Sequence, residues 1–223
     1  MPGNAVNVAT TVALVVCAVI STGIVVRREF VSSQVTEFRP KISVSAAQWD
    51  SAAGAGTSLG GAGAVVTIVT FSDFECPACR GFAGRALQGV RHDLGDSVRI
   101  VFRHLPLPYH RMAEATAQAA ECAGEQRRFW EFHDLIFRKQ DSLGLKSFES
   151  FAEESGVLNV PAFAVCLKSG RHLESIRFDV RFAQSLGLPG TPTVLINGSH
   201  FPAASDSVLF QREVRRLLVR GTR

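Results

Sequence analysis

The chain has 223 residues, 46 % of them hydrophobic and 20 % charged, with a formal net charge of +4. That supplies one substantial core with appendages and excludes a chain too small or too polar to bury one. Five arginines in Gln211–Arg223 read as the solvated face of a last helix, and without an aromatic-interleaved basic patch no nucleic-acid partner is expected.

In chain order, Val8–Val26 comes first, an uncharged run of 19 residues dominated by valine and alanine. It is long enough to cross a hydrocarbon core. No lysine or arginine precedes it, so it reads as an uncleaved single-pass anchor over residues 1–26 rather than a signal peptide. Cys17 lies within the run, and Val16 before it is too bulky for a lipoprotein processing box. Residues 27–63 read as a stalk, with five glycines between Asp50 and Ala64. Disordered, such a tether would span on the order of 35 Å. Leu59-Gly60 and Trp49 are the parts of it that could belong to the folded domain, which is expected over 64–223.

Val65–Phe71 is β-branched and apolar without a turn former, the pattern of a buried strand. It runs into Ser72-Asp73 and then Cys76-Pro77-Ala78-Cys79. Pro77 suits the first turn of a helix, expected to reach about His92. Cys76 would then sit at the helix N-terminus, where free amides and the dipole favour a thiolate, and Cys79 would return to the same face one turn on. Asp73 and Glu75 read as a solvated pair at the strand end, with a carboxylate relay to Cys79 as the alternative.

Ser97–Arg103 is a second strand, with Val98, Ile100 and Phe102 on one face and Val101 on the other. Pro106 and Pro108 make the following stretch irregular. Helical patterns then recur over Met112–Cys122, Arg128–Lys139, Lys146–Ser155, Ala162–Lys168 and from Leu173 to Gly187. His133 falls on the apolar face of the second of these and reads as a packing residue. Cys122 and Cys166 both precede helix ends and are expected to form a disulfide, against the alternative of two separately buried thiols. Thr193–Ile196 is a strand, Asn197-Gly198 a hairpin turn, and His200-Phe201-Pro202 a short edge partner. Asp206 would cap a last helix whose buried stripe is Phe210, Val214, Leu217 and Leu218.

Phe71–Phe82 resembles the active-site stretch of DsbA-like thiol-disulfide oxidoreductases of the thioredoxin superfamily, and Gly190-Thr191-Pro192-Thr193 resembles the loop whose cis-proline faces the redox pair there. The likeness covers about Leu59 to Leu218. It implies an α/β thioredoxin-like fold, a mixed sheet flanked by helices, interrupted by an inserted α-helical subdomain at approximately 107–187. It implies Cys76, Cys79 and Pro192 as catalytic, with Pro77, Ala78 and Thr191 facing the substrate, and no cofactor or metal. The partners implied are unfolded or partly folded envelope proteins with free thiols, and a membrane redox partner that recycles the cysteines. Ala78 stands where strong oxidants of the family carry histidine, which implies a redox potential between those of an oxidant and a reductant.

Two alternatives stay open: a reductase or isomerase of the same fold, and a thiolate metal-binding module built on Cys76 and Cys79. The orientation signals also conflict. Arg27-Arg28 behind the apolar run puts the carboxyl side in the cytoplasm by charge, whereas the family resemblance implies an extracytoplasmic catalytic domain, the orientation adopted here.

Overall fold

The computed structural model describes residues 14–15, 42–61, 63–202 and 204–221. The chain divides into two units, Met1–Arg39 and Pro40–Arg223. The expected span Val8–Val26 lies outside the described residues except for Leu14 and Val15, which are helical. Among the described residues no helix is long and apolar enough to cross a membrane.

The second unit is built on a five-stranded sheet in the order β1-β3-β2-β4-β5, where β1 is Thr57–Leu59, β2 Val66–Ser72, β3 Val98–His104, β4 Thr193–Ile196 and β5 Ser199–Phe201. Parallel β2 and β3 form its centre, and the other three pairings are antiparallel. The central pair is buried on both faces, which is why its residues read as near-continuous apolar runs. Ile68, Ile100, Phe102, Val194 and Ile196 face one core, and Val69, Phe71, Val101 and Leu195 face the other. This is the two-residue period of a pleated sheet, as expected for β3.

Helix α1 (Ala46–Gly54) covers the second face together with α8 (Leu173–Ser185). Here the expected domain boundary at residue 64 is corrected. The stretch read as stalk contributes α1, opened by a Ser45–Gln48 capping box, and edge strand β1, whose Leu59 pairs with Ile100. Arg103 fixes the layer. Fully buried, its Nε donates to Asp179 Oδ1 of α8 (2.7 Å) and its Nη1 to the carbonyls of Ser51 and Ala52 at 3.0 and 3.1 Å. Asp179 Oδ2 accepts the His104 amide at 2.9 Å, so one ion pair ties sheet, α1 and α8 together.

On the first face the chain after Cys76 runs as α2 (Pro77–Gly81), a π-helical stretch Phe82–Leu87, and α3 (Gln88–Leu94). The insert follows β3 as α4 (Ala113–Gly124), α5 (Phe129–Arg138), α6 (Phe148–Glu154) and α7 (Val160–Ser169), and α8 leads back to the sheet. His133 is 1 % exposed and lies among the rings of Phe74, Phe102, Phe129 and Phe137, the packing role expected of it. Asn197 and Gly198 take φ of 45° and 83°, the left-handed values of a tight hairpin turn. Asp206 caps α9 (Ser207–Gly221) by accepting the amides of Val208 and Leu209.

Cys122 of α4 and Cys166 of α7 form a disulfide with Cα atoms 5.8 Å apart across 44 residues, as expected. Closing a loop of that length restricts the unfolded chain by up to about 4 kcal/mol on the chain-entropy view. Replacing both cysteines by alanine is expected to lower unfolding stability by about 2–4 kcal/mol in urea titration, with the Cys76–Cys79 pair held in one redox state throughout. An unchanged midpoint would show that the bridge does not support the insert.

Candidate active site

Strand β2 ends at Ser72, and a tight turn, closed by the Cys76 amide on the Asp73 carbonyl (3.2 Å), places Cys76 as the N-cap of α2. Its φ and ψ of −75° and 121° are extended, and Pro77 opens the helix without a donor to satisfy. The two cysteines, free thiols here, sit in different surroundings. Cys76 is 7 % exposed and its Sγ lies 3.5 Å from the Thr191 carbonyl oxygen. Cys79 is fully buried one turn inside, where the Asp73 amide approaches its sulfur at 3.5 Å.

Those surroundings set unequal acidities. A hydrogen bond from the Cys79 thiol is the chief reason the Cys76 pKa falls to about 5. Thr191 and the amides of Cys79 and Ala78 add to that effect, against the opposing cost of burial. Cys79 moves the other way, pushed up by burial and by the proton it shares with Cys76. Of the two thiols, Cys76 is therefore the more acidic and Cys79 the one that holds its proton.

The Thr191–Pro192 peptide bond is cis, and Pro192 lines a shallow depression of about 260 Å³ together with Pro77, Ala78 and Phe82. Cys76, Pro77, Ala78 and Cys79 thus lie at the helix start, and Thr191 and Pro192 on a loop that approaches Cys76 Sγ through the Thr191 carbonyl.

Asp73 and Glu75 are a correction, because neither is a solvated carboxylate. The Asp73 side chain is fully buried and accepts the amides of Glu75 (2.7 Å) and Leu107 (2.8 Å), with His110 Nδ1 at 2.7 Å. Glu75 accepts the Met112 amide at 2.6 Å. Residues 105–112 fold over the turn, and Pro106 and Pro108 deny that loop a ladder, so its amides take carboxylate acceptors instead. Asp73 meets Cys79 through its amide while its carboxylate faces the loop, the geometry of a positioning residue and not of a relay. Gln140, which sequence reasoning missed, holds the same turn: its Nε2 donates to the carbonyls of Phe74 (2.8 Å) and Cys76 (3.0 Å). A lone glutamine after a helix carries no sequence signal for that task.

A thiolate metal site needs further ligands. Among the described residues the one grouping of three such side chains is Cys122, Cys166 and His172, whose sulfurs are joined to each other.

In the reduced protein, absorbance of the thiolate near 240 nm is expected to titrate with a midpoint near pH 5 for Cys76, while burial holds the proton on Cys79 beyond the ordinary thiol range. The depressed value also sets the sign of pH-dependent stability. The thiolate's contribution to the reduced form is complete above the unfolded thiol value of about 8.5 and is lost as pH falls through about 5. A Cys76 midpoint above 8 would contradict the geometry.

A family model described as thioredoxin matches residues 52–214. Among curated proteins, an Na(+)/H(+) antiporter NhaA 3 of Salinispora tropica is 43 % identical over 138 residues, covering 60 % of this chain and 20 % of that protein. The chain thus spans about a fifth of the length of that relative. Among solved structures, BdbD of Bacillus subtilis superposes with a TM-score of 0.66 at 19 % identity, covering 79 % of this chain and 96 % of that one, which speaks to the fold. DsbA2 of Pseudomonas aeruginosa matches at 28 % identity and a TM-score of 0.57, over 72 % of this chain and 92 % of that one. With the paired thiols at a helix start and a cis-proline facing them, the chain belongs to the thioredoxin family, within its DsbA-like thiol-disulfide oxidoreductases.

Proposed function

We propose that the protein is a membrane-anchored oxidase that introduces disulfides into unfolded or partly folded extracytoplasmic proteins through Cys76 and Cys79, with Pro192 as the third catalytic residue. The observation that carries this reading is the unequal placing of the two sulfurs, Cys76 at the N-cap of α2 and Cys79 fully buried within it, which favours the thiolate at the first and the thiol at the second. A stabilised thiolate favours the reduced pair, which makes its disulfide a better electron acceptor.

In the oxidised protein a client thiolate attacks Cys76 Sγ. The Cys76–Cys79 bond breaks, and Cys79 leaves with the electron pair and takes up a proton. A second client thiolate attacks the client sulfur of the mixed disulfide and releases Cys76 as its thiolate. Two electrons pass from client to protein, and a membrane redox partner reoxidises the pair. Thr191, beside cis-Pro192, offers main-chain groups to an extended client segment, and Pro77 and Ala78 border it, which allows binding with little sequence demand.

The anchor reading rests on the apolar run Val8–Val26. An extracytoplasmic placement is favoured by the Cys122–Cys166 bridge, a bond that persists in oxidising compartments. Kinship with part of an antiporter chain supports a thioredoxin domain that works beside a membrane.

Ala78 at the position before Cys79 leaves Cys76 without an imidazole donor, so the thiolate rests on the Cys79 thiol, Thr191 and two amides. Glutathione titration is expected to place the couple between about −270 mV and about −120 mV, the values of a reductant and a strong oxidant of this fold. The oxidised protein is expected to restore disulfides to a reduced client. A potential at the reductant end, with reduction of client disulfides as the faster reaction, would establish a reductase instead.

A further inference from the structure

Beside the redox helix lies an open depression of about 470 Å³ between the Pro77–Leu87 stretch and the end of α5. Its charged lining is three arginines, Arg80, Arg85 and Arg138, against one carboxylate, Asp134. Asp134 is already engaged by Arg91 and His133, each at 2.8 Å, and Arg80 is matched by Asp141 at 2.9 Å. Arg85 and Arg138 are exposed and have no ion pair among the described residues. The depression therefore holds two guanidinium groups that lack a counter-charge.

This cationic pocket adjoins the depression that Pro192 and Ala78 line. Pro77, Gly81 and Arg85 border both it and the apolar depression that contains Ala78 and Pro192. Gly81 makes the shared ridge low: a Cβ there would stand 2.9 Å from Arg85 Nη2, so the guanidinium lies against the glycine backbone. From Cys76 to Gly81, against which the Arg85 guanidinium lies, the helix advances about 7–8 Å. An extended client advances about 3.3 Å per residue, so a side chain two or three positions from its reacting cysteine reaches that far.

We propose that this depression is a carboxylate-accepting subsite, which takes an aspartate or glutamate of a client segment whose cysteine is engaged at Cys76. The assignment rests on the oxidoreductase reading and adds a substrate preference to it. A client carboxylate supplies the missing counter-charge and matches the forked geometry of a guanidinium, whereas a client lysine adds a third unmatched cation.

The test uses the oxidised full chain and single-cysteine peptides with Glu, Gln or Lys two and three positions from the cysteine, on either side. The second-order rate of loss of the protein disulfide is the readout. At low salt the Glu peptide is expected to react about 3- to 10-fold faster than the Gln peptide, and the Lys peptide slower than both. At 1 M salt, where screening acts within about 3 Å, the Glu-to-Gln ratio is expected to fall below about twofold. Arg85→Gln with Arg138→Gln is expected to remove most of the ratio, and Arg85→Glu with Arg138→Glu to favour the Lys peptide. Equal rates for Glu and Gln in the unaltered protein would overturn the subsite, as would a ratio that survives 1 M salt or the glutamine pair. Equal slowing of all three peptides in the variants would also overturn it, by assigning the arginines to the acidity of Cys76. Should the variants not fold, the salt series on the unaltered protein decides. No reaction with any peptide would defeat the oxidoreductase reading itself.

Discussion

The unequal placing of the two sulfurs, one at a helix start and the other sealed beneath it, is the constraint on which the rest of the structure depends. Cys79 is sealed in the core, while Cys76 stays at the helix start with its Sγ near the Thr191 carbonyl. A strand buried on both faces delivers the first requirement, since β2 ends inside the molecule and the turn after it has nowhere to go but back under the helix. Pro77 delivers the second by opening a helix immediately after Cys76. The same asymmetry makes a directional site. In the proposed reaction the more acidic sulfur, at the helix start, is the one that meets the client, and the fully buried one keeps its proton.

The helical insert contributes no reacting atom, yet the turn is held largely from that side. Gln140 ties the carbonyls of Phe74 and Cys76, while Asp73 and Glu75 are drawn to the amides of Leu107 and Met112. Removal of the Asp73 carboxylate would leave buried amides without acceptors, each a loss of about 1–3 kcal/mol. The insert is itself braced by the Cys122–Cys166 bridge. On the opposite face of the sheet, the Arg103–Asp179 pair joins α1 and α8 to β3 in place of further apolar packing. A buried pair of this kind contributes little net stability while intact, but loss of one partner strands a charge.

Much of this was legible in the chain. The alternation along Val98–His104, the Asn197-Gly198 turn, the Asp206 cap and the aromatic face of α5 each follow a short-range rule that the structure obeys. The family resemblance supplied what periodicity could not, above all the pairing of Pro192 with Cys76. Three features escaped for physical reasons. Helix α1 and strand β1 are rich in Ala, Gly and Ser, so their composition reads as a tether, and only contact with Phe71, Phe102 and α8 makes them part of the core. The burial of Asp73 is imposed by a loop more than thirty residues further along the chain, beyond any local pattern. Gln140 acts through its amide on main-chain carbonyls, a task that any polar side chain of suitable length could perform.

The claim most exposed to test is that Cys76 alone forms the mixed disulfide with a client, and that Cys79, which leaves when that link forms, is the sulfur able to displace the client again. Cys79→Ser and Cys76→Ser forms of the full chain, each incubated with a disulfide-containing client, separate the two roles. Mass mapping of the adducts under non-reducing conditions identifies the sulfur involved. The account predicts a stable mixed disulfide through Cys76 in the first protein and none in the second. An adduct through Cys79 in the Cys76→Ser protein, at a rate comparable to the first, would contradict it.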